Sequence, residues 1–142
     1  MTTRREQILS RLATTLGAVS GVNGRVYRSR VEPIARAESP AVIIEPSQDQ
    51  ATIPDAVGRI TWKMTVRVTV YVRANVPDQA ADSIVQNLYA LIMADTTVGG
   101  YALDIMPTTI SFEMIEADVA AGVITNEFDV LYQTSFGDVS TI

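Results

Sequence analysis

An unbroken alternation over residues 60–73 constrains the fold more than any other stretch of this chain. Its even positions, from Ile60 to Val72, are all large and apolar, and its odd positions, from Thr61 to Arg73, are polar or amphipathic. Because successive side chains of a strand point to opposite faces, this pattern predicts a long β-strand with one dry face and one wet, basic face. At about 3.3 Å per residue the strand would span roughly 45 Å, so the other elements must cover its dry face and pair with its edges.

Two further stretches have the spacing of amphipathic helices. Over residues 4–16 apolar side chains recur at helical intervals, and Thr3 with Glu6 forms a capping-box pattern in which Glu6 would reach back to the amide of Thr3. Residues 77–93 begin with Pro77, which favours a first helical turn, and carry one apolar stripe. We expect this second helix to pack on the dry face of the long strand.

Three shorter patterns precede the long strand. Residues 25–30 alternate enough for a short strand, and we expect their arginines at a solvated edge. Residues 41–45 are an apolar run between Pro40 and Pro46, which predicts a short strand buried on both faces. Residues 47–59 are polar and lack periodicity, so we expect a loop that projects from one end of the sheet.

Two alternating stretches follow the second helix. Residues 108–116 place Ile110, Phe112 and Met114 on one predicted inward face, and residues 124–136 alternate with acids facing outward. The resulting order, α-β-β-β-α-β-β, predicts an α+β fold in which residues 1–142 form one domain. We expect a mixed or antiparallel sheet of four to five strands with both helices packed on one face. Four aromatic residues are expected in the core: Trp62, Phe112, Phe128 and Tyr132.

The composition excludes several familiar kinds of catalytic and metal site. The chain contains no Cys and no His, which rules out thiolate chemistry, His acid–base catalysis and zinc held by these ligands. No phosphate-loop pattern surrounds Lys63, which is the only lysine. The nearest approach to a cation site is the set Glu113, Glu116 and Asp118, but the first two have opposite parity on a strand and diverge. We therefore expect no enzymatic activity, no metal and no cofactor.

The charge is distributed unevenly along the chain. Residues 1–36 hold seven arginines against two glutamates, whereas residues 74–142 hold ten acids and no Lys or Arg; the net charge is −5. This asymmetry is either an accident of composition or the mark of complementary faces on a self-associating protein, since electrostatic complementarity sets register and partner choice. No apolar run approaches a membrane span, and residues 1–11 lack a signal-peptide core, so we expect synthesis in the cytoplasm.

Several of these features together resemble the tail terminator proteins of long-tailed bacteriophages, the group of the phage lambda minor tail protein U. The matching pattern covers nearly the whole chain. It consists of a Trp-led alternating strand (Trp62 to Val72), a helix start at Val76, Pro77 and Asp78, a helix with late Tyr89 and Met93, and an acid-bearing closing strand over residues 124–133. The chain departs from the family in its arginine-rich first quarter and in the longer loop before Trp62.

The resemblance implies a structural virion protein that forms a hexameric ring at the head-proximal end of the tail. In that family the ring stops polymerisation of the tail-tube protein and offers a surface to the head-completion proteins, while DNA passes through the bore. The implied partners are therefore other copies of the chain, the tube protein and a connector protein, without a membrane. Two alternatives remain: another neck or head–tail joining component, and a small non-enzymatic domain that binds an apolar ligand.

Two sets of residues are candidates for contacts in such a ring. The wet face of the long strand carries Lys63, Arg67 and Arg73, which would meet acids of a neighbouring subunit; Glu113, Glu127 and Asp129 are candidates. The competing interpretation is pairing within the chain or plain solvation. The second set lies in the predicted loop, which we expect to contact the tail tube or the next subunit through Gln48, Asp49, Gln50, Ile53 and Asp55.

Overall fold

The computed structural model describes residues 2–52, 58–116 and 119–140, which form two α-helices and a five-stranded sheet. The order of the strands across the sheet is β1-β2-β3-β5-β4; β1 runs parallel to β2, and every other neighbouring pair is antiparallel. This confirms the predicted α+β class and the predicted order of elements. The elements are α1 (Arg4–Leu16), β1 (Val26–Arg28), a 3-10 turn (Arg36–Glu38), β2 (Ala41–Ala51), β3 (Arg59–Arg73), α2 (Pro77–Met93), β4 (Asp104–Ile115) and β5 (Ala121–Ser135).

The long strand predicted from the alternation is β3, at the centre of the sheet. It pairs with β2 on one side and along its whole length with β5 on the other, from Arg59 opposite Ser135 to Arg73 opposite Ala121. Its even positions from 64 to 72 are buried, and Arg67 is exposed on the opposite face. The predicted dry and wet faces are therefore confirmed.

Both helices lie on the dry face and share one core with it. The Thr3 hydroxyl caps α1 by accepting a hydrogen bond from the Glu6 amide at 3.1 Å. The carboxylate of Glu6 does not complete the capping box as expected, because it is held instead by Arg28. α2 begins at Pro77 and packs on β3, as predicted. The largest fully buried side chains include Phe128, Ile8, Leu16, Ile44, Met64 and Leu88.

Strand β2 differs from its prediction in length and in burial. It does not end before Pro46 but continues to Ala51, so residues 47–51 are strand and not loop. Proline is tolerated here because β1 covers only residues 42–44, which leaves the outer edge of β2 open where the missing N–H would point. A register shift between Pro46 and Gln48 absorbs the irregularity. The strand is also not buried on both faces, since Ile43 and Glu45 are only partly buried.

Strand β4 is much less buried than the alternation of its sequence predicts. Ile105 is buried, but the following positions through Ile115 are all exposed. The prediction that Ile110, Phe112 and Met114 are buried in the core is therefore wrong. Of the other aromatic residues, Phe128 and Tyr132 are buried and Trp62 is partly buried against the core, stacked on Tyr132 with a centroid distance of 6.3 Å.

Among the described residues, no helix has the length and apolar character needed to cross a membrane.

Candidate interaction surfaces

The wet face of the sheet holds Arg67 between two carboxylates. Glu45 on β2 and Glu127 on β5 are the register partners of Arg67 on β3. The Nη1 atom of Arg67 lies 3.9 Å from Glu45 Oε1, and its Nε lies 3.5 Å from Glu127 Oε1. These side chains are 30–44% exposed, so each ion pair stabilises the fold by about 1 kcal/mol or less.

The other candidate residues on this face have different surroundings. Lys63 is exposed on β3. The guanidinium of Arg73 lies over the ring of Tyr71, 5.6 Å from its centroid, which is within cation–π range. Asp129 accepts a hydrogen bond of 3.1 Å from the hydroxyl of Thr65 on the neighbouring strand.

Glu113 lies two strands away from β3. It pairs in register with Val123, which in turn pairs with Tyr71, and its side chain is exposed. The fold thus brings Arg67 and Glu127 together within one chain and keeps Glu113 apart from both. Contact of any of these residues with a second copy stays a prediction.

The residues proposed as a contact loop do not form one unit. Gln48, Asp49 and Gln50 belong to β2, which corrects the expectation of a loop at these positions. Ile53 and Asp55 lie outside the described residues. A role of these five residues in contacting the tail tube or a neighbouring subunit stays a prediction.

Asp49 takes part in a small polar cluster at the end of the sheet. After the register shift in β2 it pairs with the buried Met64, which turns its side chain toward the core. The Tyr132 hydroxyl donates a hydrogen bond to Asp49, and Arg5 Nη1 lies 3.7 Å from the same carboxylate. Burial raises the pKa of Asp49, and burial together with the Asp49 carboxylate raises the pKa of Tyr132. The cluster ties β2 and β5 to the first turn of α1.

The most exposed apolar surface is on β4, and the sequence interpretation missed it. Ile110, Phe112 and Met114 are 43%, 64% and 49% exposed. Their register partners on β5 face the helices, so these side chains lie on the helix side of the sheet but beyond the cover of α2. The outer edge of β4 is also unpaired within the described part of the chain, because β4 ends the strand order.

The opposite edge of the sheet carries β1 and a group of arginines. Arg28 pairs with Glu6 at 2.9 Å and Arg30 with Glu38 at 2.6 Å, so these arginines are not simply solvated as expected. The hydrogen bond from Arg30 lowers the pKa of Glu38 to about 2. Just beyond β1, Val31 is 95% exposed.

The order of the strands places the basic and acidic segments of the sequence on opposite sides of the sheet. The arginine-rich N-terminal segment supplies α1 and β1 at one side of the sheet, and the lysine- and arginine-free segment 74–142 supplies α2, β5 and β4 at the other. The two outer edges therefore differ in both charge and shape. Unlike edges of this kind suit a contact in which one patch meets a different patch on the next copy.

No candidate metal centre is formed by the described residues. They contain no group of three or more Asp, Glu, His or Cys side chains arranged to hold an ion. Of the acid set considered from the sequence, Glu113 and Glu116 are exposed and Asp118 lies outside the described residues.

Comparisons with known proteins find a structural likeness but no matching family. No protein-family model matches the chain, and no curated protein sequence matches it. One similar solved structure is described as the virion of a native gene transfer agent particle. The structural alignment covers 92% of this chain and 92% of that chain, with 12% sequence identity and a TM-score of 0.43. At that TM-score the likeness carries no argument about function.

Proposed function

We propose that this chain is a structural virion protein of the tail-terminator type. It would form a hexameric ring on the head-proximal end of a phage tail tube, end tube polymerisation and present a surface for head–tail joining. The proposal places the protein in the virion, assigns it no enzymatic role, and names other copies of the chain, the tube protein and a connector protein as its partners. The sequence resemblance supplies the specific class, and the architecture agrees with the element order on which that resemblance rests.

The observation that carries the proposal is the exposure of β4. Large apolar side chains on an edge strand with an unpaired backbone are a liability for a monomer, because they invite association with another chain. On β4, Phe112 is 64% and Met106 is 57% exposed, on opposite faces of the same strand. A strand of this kind is expected where another protein covers it in an assembly.

A ring also requires two unlike contact patches on each copy. Head-to-tail contacts close into a ring when the rotation permits, whereas a self-complementary patch gives a dimer. The β1 edge, with its arginines, and the acidic β4 edge are unlike and lie at opposite ends of the strand order. This arrangement favours a ring over an isologous dimer.

Two sets of residues are proposed to make contacts in the assembly. Lys63, Arg67 and Arg73 on the wet face would meet acids of a neighbouring subunit, with Glu113, Glu127 and Asp129 as candidates. The segment with Gln48, Asp49, Gln50, Ile53 and Asp55 would contact the tail tube or the next subunit. If the oligomer stays intact after charge reversal at Arg67, the first assignment is wrong; if capping survives a shortened 52–58 segment, the second is wrong.

The proposal is tested by tube growth in the presence of the full-length protein. Tail-tube protein of the same phage is polymerised with and without the purified chain, and tube lengths are measured by electron microscopy. We expect growth to stop early, with a ring of extra density at one tube end. A matched control is Gln86→Glu, a change on the exposed face of α2, which should still stop growth. Tubes of unchanged length would overturn the proposal, and binding to connectors without an effect on length would favour a head–tail joining component.

A further inference from the structure

The helix side of β4 and the neighbouring face of α2 form an open apolar groove, here called the α2–β4 groove. One part of it, about 300 Å³ in volume, is lined by Tyr89 of α2 and by residues 107–110 of β4. Ile110, Phe112 and Met114 continue the same face along β4, opposite Asn126, Ile124 and Gly122 of β5. These three β4 side chains stand beside the core but are 43–64% exposed, so the groove is apolar surface that the chain itself does not cover.

The charge around the groove indicates what can cover it. Asp78, Asp82 and Tyr89 recur at helical intervals on α2, so both acids lie in line with the tyrosine that borders the groove. Both aspartates are exposed. Because residues 74–142 contain no Lys or Arg, the elements that build the groove supply no positive charge to it. An occupant with an apolar side chain and nearby positive charge fits such a site.

The opposite edge of the same molecule has these properties. Beyond β1 the chain turns at Ser29, which has a φ of 49°, and then presents Val31 with 95% of its surface exposed. Arg28 and Arg30 precede this position, paired with Glu6 and Glu38 of the same chain, and Glu32 follows it. The N-terminal segment as a whole keeps a net charge of +5, from seven arginines and two glutamates over residues 1–36. We define residues 26–31 as the Val31 edge.

The strand directions allow the two edges to meet. β1 is parallel to β2, and three successive antiparallel pairings separate β2 from β4, so β1 and β4 run in opposite directions. If β1 of one copy lay beside β4 of another copy, with the two sheets in line, the two strands would be antiparallel. The unpaired backbone groups of the two edge strands could then form hydrogen bonds with each other.

We infer that the α2–β4 groove receives the Val31 edge of a second copy of this chain. The contact is head-to-tail, so each copy uses one groove and one Val31 edge. This inference rests on the proposed ring and names the surfaces that close it. A shared pairing of two β4 strands, which would use the same exposed side chains, gives a closed dimer and is the competing arrangement.

Cross-linking between single-cysteine variants tests the inference, because the natural chain contains no cysteine. Val31→Cys is mixed with Phe112→Cys in full-length protein and treated with a short bismaleimide. Thiols held in contact react at millimolar effective concentration, so at micromolar protein we expect at least about tenfold more heterodimer than from a non-contacting pair. The matched control mixes Val31→Cys with Ser83→Cys, an exposed α2 position that lies about 120° around the helix from Tyr89 and lines a separate surface with Ser20. The variants are first shown to be folded by circular dichroism.

The other outcomes overturn the inference in distinguishable ways. Efficient cross-linking of Phe112→Cys with itself would show β4 pairing, and equal yields for the test and control pairs would show random collision. A protein that remains monomeric by light scattering at millimolar concentration would also refute a contact between copies. Each of these results leaves the tube-growth assay to decide on the proposed function separately, since a ring closed through other surfaces could still stop tube growth.

Discussion

Gly122 is the position where a single added methyl group should reveal how tightly α2 packs on the sheet. A Cβ atom built on Gly122 would lie 2.5 Å from Cβ of Pro77 and 3.5 Å from Cδ1 of Ile124. Carbon atoms in favourable contact are about 3.5–4.0 Å apart, so the first distance is about 1 Å too short. The Cβ atom of Pro77 cannot rotate away, because it is bonded directly to the backbone at the first turn of α2.

Two opposing effects set the size of the change in Gly122→Ala. Overpacking of this kind costs about 1–3 kcal/mol, because α2 must shift away from β5. Alanine also restricts the unfolded chain, which raises the free energy of unfolding by about 0.4–1 kcal/mol. This gain applies here because Gly122 does not have a positive φ that alanine would strain. We therefore expect a net loss of about 1–2 kcal/mol in the free energy of unfolding, and a fall in Tm of about 2–4 °C for each kcal/mol.

Urea unfolding of three proteins measures this effect: the natural chain, Gly122→Ala and the control Gly137→Ala. A Cβ at Gly137 meets no atom within 4 Å, so the control should change the free energy by less than about 0.5 kcal/mol. Pro77→Gly in the Gly122→Ala background should be less damaging than the sum of the single changes, because glycine lacks the Cβ atom that the added methyl group meets. Equal stability of the two glycine variants would refute the close packing of α2 on β5.

Three further predictions concern the core and the ion pairs. Phe128→Ala removes a fully buried ring and should lower the free energy of unfolding by about 3–5 kcal/mol in urea titrations. The hydrogen bond from Arg30 lowers the folded-state pKa of Glu38 from 4.5 to about 2, so the stabilising effect of the Glu38 carboxylate is present above pH 4.5 and is lost as the pH falls toward 2. The free energies of unfolding of the natural chain and Glu38→Gln should therefore converge between pH 4.5 and pH 2. A difference that stays constant over this range would contradict the role of the ion pair. Arg67→Ala should change monomer stability by about 1 kcal/mol or less in the same assay, since its pairs with Glu45 and Glu127 are partly exposed, and a larger loss would show that they matter to the fold itself.

The sequence predicted best those elements whose burial is decided by their own side chains. The alternation of β3 and the apolar stripes of α1 and α2 each specify one buried face, and the structure places those faces in one core. The pairing of Arg67 with Glu127 corresponds to the competing interpretation from the sequence, in which the basic face of the long strand pairs within its own chain.

The failures concern elements whose surroundings are decided by distant parts of the chain. Nothing local in β2 distinguishes a Pro46 that ends a strand from one that lies at an open edge, because the difference depends on how far β1 extends. The alternation of β4 is that of a half-buried strand, but two helices of about 10 Å diameter cover roughly four strands spaced about 4.8 Å apart. A fifth strand is then left uncovered, and a count of helices against strands is the signal that could have identified Phe112 as exposed.

The mass of the purified protein in solution is the measurement that tests self-association into a ring most directly. Light scattering would be recorded across a range of protein concentrations, at low and at high salt. We expect assembly toward six times the 15.4 kDa of the chain, with higher concentrations needed at high salt because unlike charges help to bring the two edges together. A stable dimer whose mass does not change with concentration or salt would contradict it, because an isologous pair covers its own contact surface and leaves no patch from which a six-fold ring could grow.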